Sequence, residues 1–172
     1  MEKKNIHIVL FEPEIPQNTG NIMRTCMACD ATLHLIEPLG FILDDRSMKR
    51  ASMDYADDLR LEIHDDLESF YKQMKGTCFY VTRYGKKAHS AFDYAAVEGD
   101  IYLMFGKEST GIPLDVLSNH LATCMRIPMV AQARSLNLSN SVAIVSYEVL
   151  RQLDFEGLSQ TEVLKGEDWL LK

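Results

Sequence analysis

The chain has 172 residues, the length of one domain, and its 47% hydrophobic and 25% charged residues exclude a largely disordered protein. A strand pattern follows Met1 to Lys4 at once, and no apolar run approaches the roughly 20 residues of a membrane span, so we expect a cytoplasmic protein without a membrane partner. The formal net charge of −7 argues against nucleic-acid binding by the surface as a whole, but it leaves room for local basic patches.

Apolar runs that suit strands alternate along the chain with amphipathic stretches that suit helices. Nearly unbroken apolar runs are typical of parallel strands covered on both faces. The predicted strands are residues 5–11, 32–36, 59–63, 77–82, 101–105 and 124–130. The predicted helices begin at Pro16, Asp44, Asp65, Pro113 and Asn137. This alternation predicts an α/β fold with a mainly parallel sheet and helices on both faces.

The last residues differ from the rest, so we divide the chain into a domain, residues 1–155, and a tail, residues 156–172. Gly157 predicts the end of the last helix, and residues 161–171 have an amphipathic pattern. The apolar members of that pattern are Val163, Leu164, Trp169 and Leu170. We expect a tail helix that packs either on the same domain or on a second copy of the chain.

Cys26 and Cys29 have the spacing of a redox pair or of half a zinc site. A reactive pair normally begins a helix, where the helix dipole lowers the thiol pKa, whereas these two lie well inside a predicted helix. No second pair or paired histidine completes a metal shell. We therefore interpret them as buried core residues and keep a thiol redox role as an alternative.

Three predicted strand ends carry unusual residues, many of them polar, in the segments 16–24, 106–113 and 126–141. The carboxyl ends of strands in an open α/β sheet are where small ligands usually bind, because backbone N–H and C=O groups are free there. Each segment alone could be only a turn or a helix cap. The third segment passes from a strand into a well-capped helix, and there we look for a cofactor.

Together the three segments resemble the three motifs of the SPOUT methyltransferases. They read Asn-Thr-Gly-Asn-Ile-x-Arg from Asn18, Phe-Gly-Lys-Glu-x-x-Gly-Ile-Pro from Phe105, and Arg-Ile-Pro-Met, five residues, then Ser-Leu-Asn-Leu-Ser-Asn from Arg126. Shorter likenesses at residues 11–13, 36–38, 88–90 and 147–148 extend the resemblance over about residues 5–153. The resemblance is to the minimal branch, which 2'-O-methylates the wobble nucleotide, cytidine or modified uridine 34, of leucine tRNAs.

The resemblance implies a C-terminal trefoil knot, which general topology rules would not suggest. It also implies S-adenosylmethionine held in a bent shape by the knotted loops, with no metal required for the reaction. The implied partners are the anticodon stem-loop of tRNA and a second copy of the chain. The resemblance gives an antiparallel homodimer in which the first and last helices form the contact.

Carried over residue by residue, the cofactor contacts would be Val81, Gly106, Ile127, Ser135 and Leu136. The residue types are compatible with that role. Gly106 lets the backbone approach a ligand without a Cβ, Val81 and Ile127 offer apolar contact to adenine or ribose, and Ser135 offers a hydroxyl or an N–H. Val81 and Ile127 would be ordinary core residues in most other proteins.

Arg24, in the first motif, is the predicted catalytic residue. A guanidinium stays protonated in essentially any environment, so we assign it to holding a phosphate or stabilising the developing alkoxide rather than to acting as a base. Asn18 and Glu108 are predicted supporting groups that orient the ribose, Arg24 or a neighbouring loop. The alternative for Arg24 is an ordinary surface arginine on the first helix.

Two clusters of basic residues are candidates for the RNA path, because phosphate contacts need local rather than net charge and a dimer doubles each cluster. They are Arg46, Lys49 and Arg50, and Arg83, Lys86 and Lys87. We expect Lys86 and Lys87 to bind substrate. Two alternatives stay open, a 2'-O-methyltransferase for another tRNA or rRNA position and a non-catalytic RNA-binding factor with the same fold.

Overall fold

The computed structural model describes residues 2–44, 46 and 56–172. The helical piece predicted from Asp44 therefore lies mostly outside the described residues. The same holds for Lys49 and Arg50 of the first basic cluster, whereas Arg46 is described and exposed.

Six strands form one sheet in which every pairing among the described residues is parallel. They are β1 (Ile6–Phe11), β2 (Thr32–Ile36), β3 (Leu61–His64), β4 (Gly76–Val81), β5 (Asp100–Phe105) and β6 (Cys124–Met125). Their order is β3-β2-β1-β5-β4-β6, so β2 and β3 are added on one side of β1, β5 is inserted between β1 and the earlier strand β4, and β6 is added outside β4. The predicted α/β fold with a parallel sheet is confirmed.

Four α-helices within the described ranges cover the two faces of this sheet. They are α1 (Pro16–Ala28), α2 (Leu67–Gln73), α3 (Leu114–Ser118) and α4 (Leu138–Gln152). Alternate residues of β1 point to opposite faces, so Ile8 and Leu10 pack with α1 and α4, whereas Val9 and Phe11 pack with α2 and α3. Helices on both faces are thereby confirmed. None of the helices in the described ranges combines the length and apolarity that a membrane span needs.

Both ends of α4 have a local cause. The side chain of Asn137 accepts hydrogen bonds from the backbone N–H groups of Ser139 and Asn140, which caps the start as predicted. The helix ends at Gln152, before the predicted stop at Gly157. Asp154 and Phe155 have φ angles of 56° and 52°, so the backbone leaves the helical conformation there.

The sixth strand is much shorter than the predicted run of residues 124–130. It ends at Met125 because its partner β4 ends at Val81. Arg126 then pairs with the segment that follows β4 and its turn: the Arg126 N–H donates to the carbonyl of Lys87, and the Arg126 carbonyl accepts from the N–H of His89. Pro128 has no N–H with which to continue a ladder, so the chain is free to turn along the sheet edge.

The tail is not the predicted helix over residues 161–171. It forms only a 3-10 helix, Glu167–Leu171, because Gly166 has a φ of 87°, which α-helix does not allow. Phe155 and Leu158 still pack against the core, but Val163 and Leu164 are 72% and 94% exposed. The tail therefore presents apolar side chains that the rest of the described residues do not cover.

The four cysteines are free and buried, at positions 26, 29, 78 and 124. Burial is the main cause that raises the pKa of Cys29 to about 11, and burial also raises the pKa of Cys26 well above its usual value. Both thiols are protonated at neutral pH and shielded from solvent. The interpretation of this pair as core residues is confirmed.

Candidate active site

A cavity of about 720 Å³ lies at the carboxyl ends of β4, β5 and β6. Its wall comes from the start of α1, from the segment after β4, from the loop between β5 and α3, and from the segment between β6 and α4. These include all three of the polar segments singled out from the sequence. Strand ends of a parallel sheet share one edge, so the segments that follow them converge there.

The cavity brings together seven of the predicted site residues. Its lining includes Asn18, Val81, Gly106, Glu108, Ile127, Ser135 and Leu136. Arg24, Lys86 and Lys87 are exposed and lie outside the lining. The predicted cofactor residues thus share one cavity, whereas the predicted catalytic arginine is not at it within a single chain.

Helix geometry explains where Arg24 lies. It follows Asn18 by six residues on α1, a separation of about 9 Å along the axis and about 240° around it. Since Asn18 faces the cavity and is only 7% exposed, Arg24 faces solvent on another side of the helix. Its side chain does not contribute to the lining of the cavity of its own chain.

Glu108, Asn18 and Asn137 form a hydrogen-bond network that links the three polar segments. The Glu108 carboxylate accepts from the N–H groups of Glu14 and Ile15 at 2.8 and 3.2 Å and from Asn18 Nδ2 at 3.3 Å. Asn18 Oδ1 accepts in turn from Asn137 Nδ2 at 3.0 Å. The carboxylate also lies at the amino end of α1, where the helix dipole favours negative charge.

Two further contacts tie the loop after β5 to the segment before α1. The Glu14 carboxylate accepts from the Ser109 N–H at 3.1 Å and from the Ser109 hydroxyl at 2.6 Å. Lys107 Nζ donates to Glu12 at 2.8 Å, and this hydrogen bond raises the pKa of Lys107. The loop is therefore held from both sides before any ligand enters.

Gly106 is required by the loop itself. A Cβ at this position would lie 2.2 Å from the backbone carbon of Gly111 and 2.3 Å from the nitrogen of Ile112. The Gly111 N–H donates to the Lys107 carbonyl at 2.8 Å, which closes the loop tightly over Gly106. From the sequence we expected a ligand to approach the backbone of Gly106 closely. In the structure the backbone of Gly111 and Ile112 also approaches Gly106 closely.

The mouth of the cavity is positively charged. Arg83 and Arg134 contribute to the lining, and within the described ranges neither has a carboxylate within ion-pair distance. Arg83 belongs to the second predicted basic cluster, whereas its neighbour Lys87 places Nζ 4.2 Å from the centre of the Phe92 ring. Two unpaired guanidinium groups suit an anionic ligand such as an RNA phosphate.

The sequence did not predict three features of the site: the bond of Asn137 to Asn18, the bonds of Glu14 to Ser109, and the place of Arg134 in the cavity lining. Asn137 was predicted only as a helix cap, and its second bond, to Asn18, joins residues 119 positions apart. Arg134 lay inside the quoted third motif, and its charge in a segment that follows a strand was the signal that could have identified it. Glu14 precedes the first motif and had no such signal.

Comparison with known proteins agrees with this geometry. The sequence model described as the SpoU rRNA Methylase family matches residues 5–147. A tRNA (cytidine(34)-2'-O)-methyltransferase from Photorhabdus asymbiotica is 48% identical over 159 residues, covering 88% of this chain and 96% of that protein.

Two solved structures share the fold. That of a provisionally assigned RNA methyltransferase from Bacillus anthracis has a TM-score of 0.86 and 49% identity, and the match covers 92% of this chain and 100% of that one. A structure described as "Structural insights into the 2-OH methylation of C/U34 on tRNA" has a TM-score of 0.80 and 39% identity, with coverage of 89% and 99%. The matches therefore span nearly the full length of the proteins compared.

Proposed function

Because the chain belongs to the SpoU rRNA Methylase family, we propose that it transfers a methyl group from S-adenosylmethionine to the ribose 2'-hydroxyl of nucleotide 34 of tRNA. The observation that supports this most is the convergence of Gly106, Ile127 and Ser135 on one cavity. The substrate is inferred from relatives at 48% and 39% identity, whose descriptions specify cytidine 34 and C/U34 of tRNA. Leucine tRNAs are the substrates that the motif resemblance implies.

The cavity fits S-adenosylmethionine in size and lining. Its volume of about 720 Å³ lies within the range of pockets that bind molecules of that size. Val81, Ile127 and Leu136 supply apolar surface for adenine and ribose, and the segment around Ser135 supplies polar groups. The sulfonium, when bound, supplies an activated methyl group, so the donor needs no metal.

The protein's own contribution is positioning. The ionisable side chains that line the cavity are Arg83, Tyr84, Lys107, Glu108 and Arg134. Glu108 is occupied by three donors and Lys107 by Glu12, so both act to hold the loop. The two arginines are left to bind phosphate and align the ribose, and such alignment supplies much of the rate enhancement in a transfer of this kind.

Arg24 completes this site from a second chain in our proposal. It is exposed on α1, outside its own cavity, and α1 is one of the two helices expected in the dimer contact. There its guanidinium would stabilise the alkoxide that forms as the 2'-hydroxyl loses its proton, or hold the adjacent phosphate. We propose a homodimer for the same reason, since one chain alone does not bring Arg24 to the site.

Four further features of the proposed enzyme are its knot, its RNA-binding lysines, its tail and its location in the cell. We propose that the knot lies in the connection from β6, at the sheet edge, to α4, which returns to pack on α1. Lys86 and Lys87 extend the positive surface next to Arg83 and are proposed to bind the anticodon stem. The exposed apolar residues of the 156–172 tail are proposed to pack on the partner chain. We place the reaction in the cytoplasm, where tRNA is modified.

Methyl transfer to anticodon stem-loops tests the proposed function. Purified protein is incubated with methyl-labelled S-adenosylmethionine and a leucine anticodon stem-loop that carries cytidine 34. A matched stem-loop has 2'-deoxycytidine at that position, which removes only the acceptor hydroxyl. We expect one labelled methyl group per cytidine substrate and none on the deoxy substrate.

Other outcomes identify the alternatives. Equal labelling of both stem-loops would mean that another position is modified. Labelling of neither, while nucleosides from ribosomal RNA are labelled, would indicate a ribosomal substrate. Failure to bind S-adenosylmethionine in calorimetry would leave a non-catalytic RNA-binding factor.

A further inference from the structure

Three histidines form a continuous hydrogen-bonded row on the sheet face opposite α1 and α4. His7, His34 and His64 come from the adjacent strands β1, β2 and β3. His7 Nδ1 lies 2.8 Å from His34 Nε2, and His34 Nδ1 lies 2.9 Å from His64 Nε2. His34 and His64 are 4% and 3% exposed, so both side chains are buried, although β3 is an edge strand of the sheet.

Glu62 adds a carboxylate at the outer end of the row. It lies directly across from His34 in the register of β2 and β3 and shares its face with His64, two residues later. Its Oε2 is 3.5 Å from His34 Nδ1 and 3.9 Å from His64 Nε2. The side chain is 50% exposed, so the group is open to solvent on this side.

The three atoms have the spacing of a metal-binding set. With separations of 2.9, 3.5 and 3.9 Å, the equidistant point in the plane of the three atoms lies about 2.0 Å from each of them. Zinc binds imidazole nitrogen at about 2.0–2.1 Å and carboxylate oxygen at about 2.0–2.2 Å. Two imidazoles and one carboxylate form a ligand set that zinc is known to occupy, with water in the fourth position.

The other end of the row orients His34 for this role. The Asp100 carboxylate can only accept, so His7 donates to it through Nε2, at 3.3 Å, and His7 Nδ1 accepts from His34 Nε2. In the metal-free chain this assignment makes His34 Nδ1 the acceptor of a hydrogen bond from His64 Nε2. On zinc binding the His64 proton moves to Nδ1 of the same ring, so that the lone pairs of His34 Nδ1 and His64 Nε2 both face the metal. Histidine ligands of protein-bound metals usually donate their second nitrogen to a fixed acceptor, and here that acceptor is His7, held in turn by Asp100.

Packing also holds the rings. Phe70 of α2 meets His34 and His64 edge-on, at ring separations of 5.7 and 5.4 Å, and Tyr102 stacks on His7 at 4.2 Å.

We propose that His34, His64 and Glu62 bind one zinc ion per chain, which fastens the edge strand β3 to β2. None of the three residues lines the cavity described above, so the site is separate from it. β3 is four residues long and has no strand beyond it among the described residues, so a bond between side chains of β2 and β3 would secure it. The proposal does not rest on the proposed methyl transfer.

Zinc titration of the full-length protein tests this site. Protein freed of metal with a chelator is titrated with Zn²⁺ by calorimetry, and the coordination shell of the bound ion is examined by X-ray absorption. We expect one ion per chain, a shell with two imidazoles and no sulfur, and a rise in Tm. Sulfur in the shell, or no binding at all, would overturn the proposal.

Matched variants assign the ligands. Glu62→Gln changes an exposed side chain and should weaken zinc binding about tenfold or more, whereas Glu68→Gln removes the same charge from α2 and should not. His7→Phe keeps a ring on Tyr102 but removes the acceptor for His34, and should weaken binding about 10–100-fold. Equal affinities for Glu62→Gln and Glu68→Gln would contradict the assignment.

Discussion

Asn18 shows how much of the site depends on single polar side chains. Its amide donates to Glu108 and accepts from Asn137, so one nearly buried residue joins the segments that follow β1, β5 and β6. Burying an amide is favourable only when its hydrogen bonds are made, and here the partners are a residue of the loop after β5 and the N-cap of α4. Asn18 is therefore best understood as a positioning residue for the cavity wall.

Replacing Asn18 should destabilise the protein through this network. In Asn18→Ala, Glu108 loses one of its donors and the amide of Asn137 loses its acceptor, so we expect the free energy of unfolding in urea to fall by about 1–3 kcal/mol. Asn21→Ala changes the same residue type on the exposed side of α1 and should have almost no effect. Equal losses in the two variants would mean that the network adds nothing to stability.

At the level of elements, the loop between β5 and α3 differs from an ordinary connection because its own backbone fills the space beside Gly106. Contacts from Glu14 and Glu12 hold its far side, at Ser109 and Lys107. Such a loop is already shaped before a ligand binds, so little ordering entropy opposes binding. Its two glycines are required for different reasons.

A pair of glycine variants separates these reasons. Gly106→Ala places a Cβ 2.2 Å from backbone, so the loop must shift, and we expect the affinity for S-adenosylmethionine in calorimetry to fall about tenfold or more. Gly111→Ala meets nothing within 4 Å and is strained only by its φ of 72°, at a cost of about 1–2 kcal/mol in stability. Ligand affinity should survive in Gly111→Ala, and similar affinities in both variants would refute the role of the loop.

The sequence predicted elements well and contacts between elements poorly. The apolar runs located β1, β2 and β5 within one residue, and Pro16 and Asn137 marked the starts of α1 and α4. The length of β6 could not be predicted, because it depends on where β4 ends and on the pairing of Arg126 with Lys87. The meeting of the three motif segments at one edge could be expected, because parallel strands end at the same edge of a sheet. The hydrogen bond from Asn137 to Asn18 and the row of histidines could not be predicted, because they depend on how particular strands are aligned.

At the scale of the whole molecule, the cavity of one chain does not include the predicted catalytic arginine. The predicted catalytic arginine is on the solvent side of α1, and the tail carries apolar residues such as Leu164 that are not covered. The exposure of Arg24 and the exposure of the apolar tail residues have one explanation if a second copy of the chain packs against α1 and the tail. In a two-fold dimer each chain would then supply a cavity to itself and an arginine to its partner.

Heterodimers with defined defects test whether Arg24 acts across the interface. Arg24→Ala removes the guanidinium, and Ser135→Trp fills the cavity from an exposed position. We expect each homodimeric variant to lose methyl transfer by about 10²-fold or more. Purified with two affinity tags, the heterodimer of the two variants retains one cavity and one arginine on different chains. If Arg24 acts in the partner's cavity, it should recover about half the wild-type rate per dimer.

The reciprocal heterodimer is the control. It joins a wild-type chain to a chain with both substitutions, so the intact cavity and the intact arginine are on the same chain. Action across the interface leaves this heterodimer inactive, whereas action within one chain restores half the rate here and none in the first heterodimer. Because both heterodimers contain the same two substitutions, stability differs little between them, and the difference in rate reports only which chain supplies Arg24.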